Sequence, residues 1–191
     1  MTGKEHRPKI VCVVGLSGVG KTEAVRYMSQ WTDFERIYFG GVVLSEVRAR
    51  GLEPTPDNEA IVREDLRQRF GMAVMAAKSI PQIEHALSED RDVLIDGLYS
   101  YSKYKLLRSR FGDAVKLIAI HSRKSIRSKR LGSRLVRPLT PEGMTSRDER
   151  EVETLEKAEP IALADYHVVN DCDLADFESR LLCCFMAITK E

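Results

Sequence analysis

Eight consecutive residues, Gly15-Leu16-Ser17-Gly18-Val19-Gly20-Lys21-Thr22, combine three glycines with a lysine and a hydroxyl. Glycines at this spacing permit backbone conformations in which successive N–H groups turn toward one anion, and a helix opening at the end of the run adds its partial positive charge. A lysine at this position bridges the β- and γ-phosphates of a nucleoside triphosphate, and the hydroxyl after it is offered to Mg²⁺. The run follows an apolar stretch at 9–14 and opens a helical segment at 22–31, the context that such a loop requires. Residues 15–22 are therefore read as a phosphate-binding loop for ATP, with Lys21 catalytic and Thr22 a metal ligand.

Two further sets of residues suit the same chemistry. In Asp92-Val93-Leu94-Ile95-Asp96-Gly97 an apolar strand delivers a carboxylate to a sheet edge. Asp96 would there hold Mg²⁺ or act as a base, although Asp-Gly also ends strands for conformational reasons alone. The second set is basic: Arg123, Lys124, Arg127, Lys129, Arg130, Arg134 and Arg137, followed by Arg147 and Arg150. Arg123, Arg127, Arg130, Arg134 and Arg137 are spaced by four, three, four and three, which predicts one helical face. Arginines on a lid neutralise a transferring phosphoryl group while excluding water, and Arg127, Arg134 and Arg147 are the expected catalytic ones. Any single one of them is equally a solvated helix face. Glu46 either faces an acceptor or is a surface carboxylate. His6, His85, His121 and His167 lack metal-ligand spacing, and His121 is expected to be structural.

Positioning these groups requires strands that end together. Apolar runs at 10–14, 37–39, 93–95, 115–120 and 167–169 alternate with helical periodicity at 23–31, 42–50, 59–70, 72–88, 103–111, 125–135 and 174–188. Such alternation predicts an α/β fold with a parallel sheet covered on both faces, whose strand C-termini share one ligand-binding edge. The turn-rich stretch 51–58 offers Asp57 or Asn58 as a helix cap. The break at 137–143 predicts the turn of a helical hairpin over the ligand edge. Trp31, Phe39, Phe70 and Phe111 are expected in the core.

At 191 residues the chain has the length of one domain. Its 30 Lys and Arg nearly balance 29 Asp and Glu, a net charge of +1 that argues against nucleic acid as a partner. The balance hides a split, with 121–150 at +6 and 151–191 at −7. Cys12, Cys172, Cys183 and Cys184 show no metal or disulfide spacing and read as buried small hydrophobes in a reducing compartment. No run resembles a signal h-region or a membrane span, so a cytoplasmic protein, monomeric or homodimeric, is expected.

On these motifs the chain resembles the P-loop nucleoside monophosphate kinase superfamily, in the branch of adenylate kinase and dephospho-CoA kinase. Within that branch it is most similar to an archaeal and bacterial kinase-like family. The resemblance runs from Lys9 to Leu182 and rests on 15–22, Phe39-Gly40-Gly41, Glu46-Val47, Arg50-Gly51-Leu52, Arg69-Phe70-Gly71-Met72, Ile95-Asp96-Gly97, Arg147-Asp148-Glu149-Arg150-Glu151 and Ile161-Ala162-Leu163-Ala164-Asp165-Tyr166 with Val169-Asn170. It implies a three-layer P-loop fold with a five-stranded parallel sheet, an acceptor-binding helical segment over about 40–90 and a helical lid over about 123–150. It also implies that the turn at 169–171 lies near the adenine, so Asn170, with Arg130 of the lid, counts among the nucleotide-binding residues. Adenylate kinase-like enzymes place Asp and Arg after strand two and Arg after the Asp-Gly of strand three; here those positions fall on Gly41, Leu44 and Tyr99.

The expectation is an ATP- and Mg²⁺-dependent phosphotransferase acting on a small acceptor. A nucleotide-binding regulatory module with little or no kinase activity is the alternative. A GTPase lacks its guanine motif here, and a nucleic-acid-end kinase has only the basic lid in its favour.

Overall fold

The computed structural model describes residues 9–135 and 138–190. Arg137 and His6 lie outside the described residues. Strands β1 (Ile10–Val14), β2 (Glu35–Tyr38), β3 (Val93–Asp96), β4 (Val115–His121) and β5 (Tyr166–Val169) form one sheet in the order β2-β3-β1-β4-β5. Every pairing is parallel. The helices are α1 (Lys21–Trp31), α2 (Gly40–Ala49), α3 (Pro56–Phe70), α4 (Val74–Ser88), α5 (Tyr101–Phe111), α6 (Lys124–Gly132), α7 (Pro141–Glu153), α8 (Ala158–Ala162) and α9 (Leu174–Lys190).

Alternation along the central strands divides the core into two layers, because successive side chains leave a strand on opposite faces. Ile10, Cys12 and Val14 of β1 pack with Val43, Val47, Leu66, Ile83 and Leu107 from α2 to α5. Val11 and Val13 pack on the other face with Val25 and Met28 of α1 and Phe177, Leu181 and Ile188 of α9. All five residues of β1 are buried, which explains its unbroken apolar run. β2 and β5 lie at the edges, and their residues alternate between buried and exposed.

Several local expectations change. The helix predicted over 125–135 ends at Gly132, so Arg134 lies past its end and the five-arginine face is shorter than its spacing implied. α3 is capped by Thr55, whose Oγ accepts from the Asn58 N–H at 3.3 Å, in place of Asp57 or Asn58. Pro56 then occupies the first helical position, where its fixed φ fits and its missing N–H costs nothing. Phe39 is buried, whereas Phe70, at the end of α3, is 55% exposed beneath Arg69 and Lys78. Of the cysteines only Cys12 is buried; Cys172, in the turn before α9, is exposed, and on α9, which turns one stripe to the sheet, Cys183 is exposed and Cys184 intermediate. Among the described residues no helix is long and apolar enough to cross a membrane.

Candidate functional site

The loop after β1 adopts left-handed backbone at Gly15 (φ 143°), Gly18 (φ 85°) and Gly20 (φ 104°). At two of these positions a side chain is also excluded by space. A Cβ on Gly15 would stand 2.6 Å from the Ile120 carbonyl oxygen, and one on Gly20 would stand 2.4 Å from Asn170 Nδ2. Gly20 precedes α1 without giving a side-chain cap, so the first N–H groups of that helix remain available to an anion. Lys21 folds over the loop, donating from Nζ to the carbonyls of Gly15 (2.8 Å) and Leu16 (2.9 Å). Burial, then repulsion by Lys157, pushes its ammonium down to about 7. Thr22 is exposed.

The lid meets this loop at Ser17. Glu151 of α7 accepts from the Ser17 N–H at 2.9 Å and from its hydroxyl at 2.5 Å. Arg147, one turn earlier, donates from Nε to Ser17 Oγ (3.0 Å) and to Glu151 (3.2 Å). Arg127 of α6 is buried; it donates to the Ser17 carbonyl at 3.1 Å and pairs through both Nη atoms with Asp148 at 2.8 and 2.6 Å. Lys157 completes the cluster with Nζ 2.7 Å from Glu151 Oε1. Glu151 is 1% exposed. Burial alone would raise its carboxyl, but Lys157 and Ser17 outweigh burial and hold it at about 2, so it is ionised at neutral pH. A buried carboxylate thus rests on the N–H of the phosphate-binding loop, a contact that an anionic phosphoryl oxygen would equally make.

The strand ends supply the remaining groups. Asn170 is buried and donates from Nδ2 to the Val19 carbonyl at 2.8 Å, while its Oδ1 accepts from Arg130 at 3.2 Å. Arg130 also donates to Ser122 Oγ at 3.0 Å. The turn after β5 and the first lid helix are therefore tied to the loop's own backbone. Asp96 ends β3, but its ion pair is with Arg36 of β2, at 2.8 Å. Glu46 pairs with Arg50 at 2.9 Å, the arrangement of a surface carboxylate. Arg134 is exposed and has no ion pair among the described residues, although its charge acts on Lys21. His121 and His167 stack, with ring nitrogens 3.0 Å apart. Among the described residues no group of three or more metal-ligating side chains assembles.

These elements have known counterparts. A family profile for the AAA domain matches residues 14–156. The UPF0200 protein of Thermococcus onnurineus is 32% identical over 180 residues, covering 90% of this chain and 94% of that protein. The chain belongs to the UPF0200 family. In fold this UPF0200 member is similar to the shikimate kinase of Bacteroides thetaiotaomicron, with a TM-score of 0.60 at 13% identity, covering 94% of this chain and 98% of that one. It is also similar to the dephospho-CoA kinase of Campylobacter jejuni, with a TM-score of 0.58 at 15% identity and coverage of 97% and 100%. At such identities these two likenesses show the three-layer P-loop kinase fold.

Reasoning from the sequence named Lys21, Arg127, Arg147, Arg130 and Asn170 for one site, and it gave no role in that site to Glu151, Asp148 or Lys157. A usable signal was present for two of them, since Asp148 and Glu151 follow Arg147 by one residue and by one helical turn in a stretch already noted as a family motif. Tyr99, noted only as a replaced arginine, is the hub of three ammonium groups: its ring centroid lies 4.7 Å from Lys157 Nζ, 5.6 Å from Lys21 Nζ and 5.8 Å from Lys103 Nζ. Lys103, buried in α5, was not considered at all.

Proposed function

We propose that this UPF0200 member transfers the γ-phosphoryl group of ATP to a small acceptor. The observation that carries the reading is the convergence on Ser17 of the phosphate-binding loop with Arg127 and Arg147 of the lid. Lys21 and the backbone N–H groups of residues 15–22 hold the triphosphate, and Arg127, Arg147 and Arg134 offset charge that builds on the transferring oxygens. Arg130 and Asn170 hold the nucleotide side of the loop. The donor set suits Mg²⁺: an exposed threonine hydroxyl at the head of α1, with the Asp96 carboxylate at the neighbouring strand end on the same sheet edge. The ion would neutralise phosphate charge; Asp96, released from Arg36, would orient or deprotonate the acceptor hydroxyl.

ATP labelled in its γ-phosphate, supplied with Mg²⁺ and a panel of nucleosides, nucleoside monophosphates and dephospho-CoA, should pass label to one of them. Lys21→Ala should lower that transfer by about 10²–10³-fold, the usual loss for one transition-state cation or donor. Unchanged transfer by Lys21→Ala would overturn the assignment. One observation favours a second reading, a regulatory ATPase. Glu151 occupies the Ser17 N–H and hydroxyl, so ATP must displace it, and that displacement could itself be the signal. Label recovered only as inorganic phosphate supports this second reading.

A further inference from the structure

One carboxylate gathers four donors beside the phosphate-binding loop. Glu151 Oε2 accepts from the Ser17 N–H, and Oε1 accepts from the Ser17 hydroxyl, from Arg147 Nε and, at 2.7 Å, from Lys157 Nζ. The first three donors belong to the loop or to α7. The fourth, Lys157, follows the lid in sequence and is 5% exposed. Its Nζ lies 4.7 Å from the centroid of the Tyr99 ring, and Lys21 Nζ lies 5.6 Å from the same centroid. The two ammonium groups are thus separated by no more than the sum of those distances, which puts Lys157 within reach of a phosphate that Lys21 holds.

Glu151 and Lys157 are anchored to different parts of the molecule. Glu151 is carried by α7. Residue 156, next to Lys157, is tied to the head of α5: the Tyr101 N–H donates to the Glu156 carbonyl at 2.9 Å, and Ser102 donates to the Glu156 carboxylate from its N–H at 2.9 Å and its hydroxyl at 2.6 Å. Glu156 also adopts left-handed backbone, with φ 52°, a conformation that a non-glycine residue keeps only where its surroundings impose it. One backbone bond, from the Lys157 N–H to the Glu151 carbonyl at 3.1 Å, spans the two. Displacing the Glu151 side chain therefore leaves Lys157 in place. A terminal phosphate that takes the Ser17 N–H removes Glu151 from it, since two anions do not share one donor. Lys157 is then a buried ammonium without its counter-charge, for among the described groups that act on it Glu151 is negative and Arg147 and Arg67 are positive. Unpaired charge in such a place is strongly unfavourable, and a phosphoryl oxygen on the Ser17 N–H takes over the position of the carboxylate that Lys157 contacts.

We propose that Lys157 is a catalytic cation of the transfer, masked by Glu151 until ATP binds and then paired with the γ-phosphoryl oxygens. The assignment rests on the kinase reading above and adds to it a cation from outside the lid helices. As the acceptor oxygen bonds to the γ-phosphorus, the bond to the ADP oxygen breaks and the acceptor proton passes to Asp96; Lys157 keeps its proton and offsets charge on the equatorial oxygens.

The test compares the full chain with Glu151→Gln, Glu151→Gln/Lys157→Met and Glu151→Gln/Lys157→Arg, titrated calorimetrically in Mg²⁺ with the β,γ-imido analogue of ATP and with ADP. The ratio of the two affinities isolates the terminal phosphate. Glu151→Gln should raise that ratio, because the competing anion is gone and Lys157 is unmasked. Adding Lys157→Met should lower it by about 10–100-fold, the worth of one charge-assisted bond, whereas Lys157→Arg should keep most of the gain. Turnover of γ-labelled ATP should fall by about 10²–10³-fold on the same addition of Lys157→Met. Should Glu151→Gln not fold, Lys157→Met and Lys157→Arg in the wild-type background give the same comparison. An affinity ratio or a turnover that Lys157→Met leaves unchanged overturns the proposal, because the lysine then serves only its pair with Glu151. Failure of both wild type and Glu151→Gln to bind the analogue would instead overturn the kinase reading, and the proposal with it.

Discussion

The two halves of the site differ in how their charges are matched. Around Ser17, Arg127 faces Asp148, and Arg147 and Lys157 face Glu151, each within hydrogen-bonding distance. Beside the Tyr99 ring, Lys103 has a single distant carbonyl, and on α3 Arg67 has a weak, exposed carboxylate. The half around Ser17 thus closes on itself with internal anions, whereas Lys103 keeps a positive charge unmatched inside the fold. A site that binds one constant cosubstrate can be held shut by its own carboxylate and exchange it for phosphate.

Three measurements sharpen or break this contrast. The largest effect should come from Glu151→Gln, which leaves Lys157 buried and unpaired; breaking a buried pair from one side costs about 3–5 kcal/mol, read as a fall in the urea midpoint. Adding Lys157→Met should recover most of that loss. A cost below about 1 kcal/mol would mean that the donor side is not held by its internal anion. Next in size is Arg127→Lys, which exchanges a two-pronged pair with Asp148 for a point charge and should cost about 1.5–3 kcal/mol in the same assay. The third is a pH dependence. Lys103 is pushed down to about 7 from an ordinary 10.5 by burial and its cationic neighbours. Between these values the unfolded chain holds the proton and the folded chain has released it, so stability gained from this group rises with pH across that window and is absent below it. The Tm difference between Lys103→Met and wild type, measured without anions, should accordingly shrink from about pH 7 to pH 10. A constant difference would show that Lys103 is matched after all.

Much of the fold was legible because its signals are local. β1 was recognisable from end to end, since a strand buried on both faces must be apolar throughout. The edge strands β2 and β5 were read short, because Glu35, Arg36 and Tyr166 stand where one face meets water and apolarity no longer marks the strand. α6 was read long, since the arginine spacing continues past Gly132 although the helix does not. α8 has five residues, too few for a helical period to register. Site residues were legible where glycine spacing or a row of arginines marked them. Glu151 was not, because its meaning depends on Ser17, which is 134 residues away along the chain.

By itself the sequence determined the phosphate-binding loop, the order of strands and helices, and the presence of a basic segment late in the chain. These follow from backbone conformations only glycine adopts freely and from apolar periods of two and 3.6. Only the tertiary structure decided how the charges are shared. Crossing helices bring Asp148, Glu151 and Lys157 to the lid arginines and the loop, so the basic segment is neutralised where it meets Ser17. They also bury Lys103 of α5 with a backbone carbonyl as its hydrogen-bond partner. Burial and partnership, not residue type, set whether a charge is satisfied, and both depend on contacts between segments far apart in the chain.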